Sequence, residues 1–182
     1  EAWVKFKSFS KWGFIITKGL NSANPQYELL VRINSGTDPQ KPQFLINAND
    51  YAIGKTSLTT DTWYHIAGTW DGKDVKVYLN GIVDGVVGST GGINGRNADL
   101  LIGKRGDDLN CDCAIDEVAI WNVSLTSDEI RKHYERGVLK LNLSYRTSND
   151  STTWNAWTPA ANNTITTISA LARYFQYKVN FN

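Results

Sequence analysis

The sequence predicts an all-β fold of antiparallel strands, and three observations predict it. Short runs rich in Val, Ile, Thr, Tyr, Phe and Trp alternate apolar with polar residues, the two-residue period of a strand with one buried face. Clusters of Gly, Asn, Asp and Pro separate the runs, whose starts lie roughly 8–12 residues apart, the spacing of sandwiches and barrels. One segment only carries helical chemistry.

Taken in order, Ala2 to Lys7 alternates cleanly and opens the strand set, followed by Phe14 to Lys18, Tyr27 to Ile33 and Gln43 to Asn47. Tyr64 to Trp70 is the next strand, and then comes the strongest local signal. Asp74 to Leu79 and Ile82 to Val87 flank Asn80-Gly81, the pair that supplies two positive φ angles for a type I′ hairpin turn. Leu100 to Lys104 and Ala114 to Trp121 continue the pattern. The helix is expected from Thr126 to Gly137: Thr126 with Glu129 makes a capping box, Leu125 and Ile130 form a staple, and Gly137 can end it. Its apolar residues Ile130 and Tyr134 share one face, expected to pack over an end of the sandwich. Leu141 to Arg146 and Tyr174 to Phe181 are the last strands. After Leu139 the texture turns to Ser, Thr and Asn, so the domain organisation reads as 1–139 followed by a partial second β module at 140–182, too small to bury a core alone.

Composition narrows the function. Of 182 residues, 41% are hydrophobic and 20% charged, which is the balance of a chain with a core and not of a disordered one. Nineteen basic against eighteen acidic residues leave +1, so no strong field exists to hold nucleic acid or an anionic membrane. No apolar run approaches the ~20 residues a membrane helix needs, so no membrane insertion is expected of these residues. Met is absent and Glu1 to Lys7 alternate like the middle of a strand, so the chain is expected to be a piece of a longer protein.

Two stretches carry a family resemblance. They are Asp61-Thr62-Trp63-Tyr64-His65-Ile66-Ala67-Gly68-Thr69-Trp70-Asp71-Gly72, running on through the Asn80-Gly81 hairpin, and Ala114-Ile115-Asp116-Glu117-Val118-Ala119-Ile120-Trp121-Asn122-Val123-Ser124-Leu125-Thr126. With Glu1-Ala2-Trp3-Val4-Lys5 they resemble the laminin-G-like, concanavalin-A-like jelly-roll domains of extracellular and cell-surface proteins. The resemblance implies an antiparallel two-sheet jelly-roll sandwich, one sheet concave, with a start roughly 15 to 30 residues before Glu1. The tail, with Trp154-Asn155-Ala156-Trp157 and Arg173 to Phe181, resembles the β module that follows such domains in large prokaryotic surface proteins.

Against that background the chemistry-bearing residues divide. Glycoside hydrolysis needs two carboxylates facing one sugar, and Asp116-Glu117 point to opposite faces of a strand. His65 and His133 are the two histidines, and no metalloprotease or nucleophile-elbow pattern surrounds them. An enzyme is therefore not expected. Hard oxygen ligands concentrate at Asp107, Asp108 and Asp116, a set suited to calcium, and related jelly rolls can hold a structural calcium near the Asp corresponding to Asp116. Cys111 and Cys113 are the two cysteines, and a local disulfide, an intermolecular bridge and free thiols all stay open. Glycosylation sequons fall at Asn122, Asn142, Asn149 and Asn162. Trp63 and Trp70 are expected in the core, whereas Trp12 and Tyr51 sit among polar, loop-like neighbours and are the candidates for a sugar-binding platform.

The reading is a non-catalytic adhesion or carbohydrate-recognition module of a larger cell-surface protein, with glycans or other surface proteins as partners. The alternative is a structural subunit of a surface layer or extracellular filament, self-assembled as an unpaired C-terminal strand completes a neighbour's sheet. A glycoside hydrolase relative is the remote third.

Overall fold

The computed structural model describes residues 1–19, 25–32, 39–89, 91–93, 95, 97–106, 109–138, 141–160 and 172–181. The strands are β1 (Ala2–Phe6), β2 (Gly13–Gly19), β3 (Pro25–Val31), β4 (Pro42–Leu45), β5 (Tyr51–Ile53), β6 (Trp63–Trp70), β7 (Asp74–Leu79), β8 (Ile82–Gly88), β9 (Leu100–Ile102), β10 (Lys104–Arg105), β11 (Leu109–Asn110) and β12 (Cys113–Asp116). Helix α1 (Ser127–Gly137) follows, then β13 (Leu141–Ser148), β14 (Thr158–Pro159) and β15 (Tyr174–Phe181). The chain forms two compact units, Glu1–Glu135 and Arg136–Asn182.

In the first unit two five-stranded antiparallel sheets face each other. The first has the order β12-β1-β6-β7-β8 and the second β5-β4-β3-β2-β9. The sequence period explains which side of each strand is buried. Ala2, Val4 and Phe6 of β1 lie in the core while Trp3 and Lys5 are half-exposed. Their core neighbours come from both sheets: Ile66 of β6, Val75, Val77 and Leu79 of β7, and Ile16, Leu29 and Val31 of β2 and β3. Gly68 of β6 lies where a Cβ would run into the Phe44 ring, so a side chain there would push the sheets apart.

The hairpin forms as the sequence dictates, with φ of 50° at Asn80 and 79° at Gly81. Asn80 does more than turn the chain, because its Oδ1 accepts the His65 N–H at 3.0 Å and so ties the turn to β6. The capping box forms too. Thr126 N–H and Oγ1 donate to Glu129 Oε2 at 2.8 Å each, and Glu129 N–H donates back to Thr126 Oγ1 at 3.3 Å. The helix lies on the outer face of the first sheet and not over an end of the sandwich: Ile130, its one buried residue, packs on Ala67 of β6 and Tyr78 of β7 with Leu125 beside them.

Three strand expectations change. The strand expected from Ala114 to Trp121 stops at Asp116, because Glu117 takes a positive φ of 49° and turns the chain out of the ladder. Trp63, expected in the core, is 41% exposed: it opens β6 opposite Lys5, on the solvent side of the pleat, where the lysine ammonium stands 5.4 Å over its ring. Trp70 is on the core side, half-buried against the main cluster. The third change is in the second unit, a three-stranded sheet of order β14-β13-β15. Its C-terminal strand is not unpaired: β15 is in register with β13 from Leu141↔Phe181 to Ser148↔Tyr174.

Candidate functional site

The outer face of the second sheet gathers the aromatic candidates. Residues directly opposite one another across a ladder share a face, and two rows cross this one. Phe14, Leu30, Gln43 and Ile53 form the first row, and Thr17, Glu28, Leu45 and Tyr51 the second. Phe14, Leu30 and Leu45 make a small apolar cluster there, with Trp12 and Leu109 packed against it. Trp12 stacks on Phe14 with ring centroids 5.7 Å apart, so its indole is largely committed to packing. Tyr51 is 40% exposed at the sheet edge and presents an aromatic surface to solvent.

Polar groups are set into the same face. Thr17, Glu28 and Gln43 are buried, and Thr17 Oγ1 donates to the Lys104 carbonyl at 2.9 Å. Arg105, from the short β10–β11 ladder, lies 4.4 Å over the Phe14 ring and 4.0 Å from the Glu28 carboxylate. Among the described strand positions of this face Glu28 is the one carboxylate, and it is ion-paired. The two facing acids of a glycosidase are therefore not assembled by these positions.

The loop beside Tyr51 is fixed in advance. Asn47 Oδ1 accepts the N–H groups of Asn49 and Asp50 at 2.8 and 2.7 Å, an Asx turn. Asp50 Oδ2 accepts from Asn47 Nδ2, Ser89 Oγ and Gly91 N–H at 2.9, 3.0 and 3.1 Å. These bonds, led by the one from Asn47, hold the Asp50 carboxyl below the usual carboxylate range. The polar neighbours Asn47 and Asp50 thus lock one loop to another and leave Asn49 and Tyr51 exposed beside it.

A second constellation was not legible in the sequence. Glu1, His65 and His133 come together, with Glu1 Oε1 2.8 Å from His133 Nδ1, Glu1 Oε2 3.5 Å from His65 Nε2, and Trp121 Nε1–H donating to Glu1 Oε1 at 3.2 Å. Burial by itself raises the Glu1 pKa, but contact with His65, the Trp121 indole and His133 opposes it, and the carboxyl lies well below the usual carboxylate range. A depressed acid contributes stability above its unfolded value near 4.5 and loses it as pH falls through its folded value. Acid titration followed by circular dichroism is expected to show that loss between those values, and Glu1→Gln should flatten the curve there. An identical curve for the variant would show that the cluster adds nothing.

Glu1 also borders a cavity of about 350 Å³ between the sheets, beside residues 119–125. Phe44, Trp70, Ile120, Trp121 and Leu125 line it with core residues such as Ile16 and Leu29. Its wall is mostly apolar, which suits the open interior of a sandwich better than a sugar, whose hydroxyls need several polar partners.

The remaining candidates are placed as follows. Asp107 and Asp108 lie outside the described residues. Asp116 is exposed at the end of β12, its Oδ1 accepting the Glu117 N–H at 2.8 Å. Among the described residues no group of three or more His, Cys, Asp or Glu side chains is placed to hold a metal ion. Cys111 and Cys113 are joined in a local disulfide with Cα atoms 5.4 Å apart. Asn122 and Asn149 are exposed, Asn142 lies in β13 opposite Asn180, and Asn162 lies outside the described residues.

Comparison with known proteins completes the picture. A family model described as the concanavalin A-like lectin/glucanases superfamily matches residues 1–131. The human (Homo sapiens) adhesion G-protein coupled receptor D1 is 34% identical over 89 residues, which is 43% of this chain and 10% of the receptor. Domain 4 of AbnA, an extracellular GH43 arabinanase from Geobacillus stearothermophilus solved with arabinotriose, superposes with a TM-score of 0.57 at 20% identity. That match covers 72% of this chain and 63% of the other. Trypanosoma rangeli sialidase, in complex with a difluoro-KDN, gives 0.54 at 18% identity, over 75% of this chain and 22% of the sialidase. At such identities the two structures share the fold alone, and the chain spans a tenth of the receptor's length.

Proposed function

The chain belongs to the concanavalin A-like lectin/glucanase superfamily, and from that membership we propose that it is a non-catalytic, extracellular adhesion or carbohydrate-recognition module of a larger cell-surface protein. The observation that carries the reading is Tyr51, an exposed aromatic on the outer face of the second sheet beside a loop already locked by Asn47 and Asp50. A sugar ring packs its C–H face on such a platform and takes hydrogen bonds from polar groups around it, and a rigid loop limits the entropy lost on binding. The human receptor, an adhesion protein by its name, supports the cell-surface part of the reading.

The experiment is a glycan-array screen of the whole chain, followed by titration of the best ligand. Tyr51→Ala is expected to weaken binding roughly tenfold, the loss of about 1–1.5 kcal/mol of aromatic contact. Trp12→Ala should act less on affinity and more on stability, since its ring packs on Phe14. Equal affinity for wild type and Tyr51→Ala would move the site elsewhere, and release of reducing sugar from any glycan would overturn the non-catalytic part. Structural calcium held through Asp107, Asp108 and Asp116 belongs to the same proposal, as do glycans on Asn122, Asn142, Asn149 and Asn162. Repeating the titration and a thermal melt with a chelator tests the ion: an unchanged melt removes it. A second reading is a filament or surface-layer subunit, for which the support is that among the described residues no strand lies on the outer edge of β15.

A further inference from the structure

Cys111 and Cys113 are the two cysteines of the chain, and the bond between them ties no distant segments together. They lie one residue apart, where the chain leaves β11 and enters β12. What a disulfide adds to stability grows with the length of the loop it closes, and this one closes a loop of three residues. The backbone around it is held by other bonds. Cys111 N–H donates to the Gly103 carbonyl at 2.8 Å, Lys7 N–H donates to the Asp112 carbonyl at 2.8 Å, and Cys113 is in register with Phe6 of β1. These contacts keep the two Cα atoms 5.4 Å apart, within the range a disulfide needs, whether or not the sulfurs are joined. Both residues are half-buried: they pack against the main core cluster, and part of each stays open to solvent. Such a pair can be opened and closed with the fold intact.

We propose that Cys111 and Cys113 form a thiol–disulfide exchange site, reduced by low-molecular-weight thiols and re-oxidised by their disulfides. In the forward direction a thiolate RS⁻ attacks one of the two sulfurs; a mixed disulfide forms there, and the Cys111–Cys113 bond breaks. The cysteine that leaves takes a proton. A second RS⁻ then attacks the sulfur of the bound thiol, so that RSSR departs and the other cysteine is released as a thiol. Two electrons pass from two thiols to the pair, and the two thiol protons end on the two cysteines. An incoming RSSR runs the same steps backward. Because the backbone keeps each cysteine beside the other, the mixed disulfide is short-lived in the native chain and is trapped when one cysteine is removed.

The test takes the whole chain, without denaturant, through glutathione buffers of rising reduced-to-oxidised ratio, with thiols counted by alkylation and mass. Millimolar reduced glutathione is expected to free both thiols while circular dichroism and the thermal melt stay nearly unchanged, and oxidised glutathione to restore the bond. The equilibrium should differ between the folded chain and the chain in urea by about twentyfold at most, against roughly a thousandfold for a bond that closes a long loop. Cys111→Ser, exposed to oxidised glutathione while folded, should gain one glutathione on Cys113. A bond that survives millimolar reduced glutathione overturns the proposal. So does reduction that melts the chain, or a folded Cys111→Ser chain that stays unmodified.

Discussion

Phe6→Ala is expected to lower the stability of the first unit by about 3–5 kcal/mol, the range for deleting a buried phenylalanine. The side chain is 1% exposed, in the cluster that joins the two sheets, with the Phe9 ring 5.1 Å away. On its other side it lies so close to Gly13 that a Cβ there would stand 2.8 Å from Phe6 Cε1. Gly13 is anchored at the start of β2 and β1 itself is held between β6 and β12, so on that side the backbone cannot close over the space left behind. Much of the cavity term is then retained. Since a domain has about 5–15 kcal/mol in total, the variant should fold only marginally. The measurement is urea unfolding: a shift of the midpoint by about 1–3 M with unchanged slope is expected, and a melting temperature lower by roughly 10–20 °C. Ile82→Ala, at an exposed position, should stay within about 0.5 kcal/mol of wild type. A Phe6→Ala change as small as that of Ile82→Ala would mean the two sheets are not held through this cluster.

What could be read from the sequence follows the range over which each signal acts. The Asn80-Gly81 turn and the Thr126–Glu129 box are complete within a few residues, and both form with the hydrogen bonds their chemistry implies. The alternation in β1 and β7 is equally local. By contrast β5 is three residues long and becomes a strand only because β4 lies beside it, while β10 and β11 are two-residue ladders with no periodicity to detect. The end of β12 depends on one backbone angle at Glu117, which apolar residues further on, Ile120 and Trp121, conceal. The site divides in the same way. Tyr51 stood out for its polar neighbours, yet Asn47 and Asp50 turn out to bind each other and the 89–91 loop, a pairing across some 40 positions. Arg105 over Phe14 and Glu1 between two histidines are products of topology, and no local pattern announces them.

The second unit should respond to one substitution as the first would to the loss of its core. Arg136–Asn182 has too few residues to bury an apolar interior by itself, and one face of its sheet exposes Leu143, Phe175, Tyr177 and Val179. Its order comes instead from a stack of cations and indoles. The Arg146 guanidinium lies 4.9 Å over Trp154 and 4.7 Å over Trp157, and the Lys178 ammonium lies 4.6 Å over Trp157. Arg146 Nε also donates to Gln176 Oε1 at 2.9 Å, which joins β13 to β15 through the side chains. The turn that brings the indoles back is built on Asp150, whose Oδ1 accepts the N–H groups of Thr152 and Thr153 at 2.9 and 2.7 Å. Those two bonds hold its carboxyl far below the usual range. Two cation–π contacts at about 0.5–2 kcal/mol each, with a charge-assisted hydrogen bond of about 1.5–3 kcal/mol, make Arg146 worth about 2–4 kcal/mol after allowing for non-additivity. For so small a unit that is the margin between order and fraying. Arg146→Ala is therefore expected to release hydrogen-exchange protection along Leu143–Thr147 while leaving β6 and β7 protected. Arg146→Lys should fall between, keeping a charge over the rings but losing the planar stack and the bond to Gln176. Protection of β13 unchanged in Arg146→Ala would show that the ladder decorates this unit and that the pairing with β15 holds it without help.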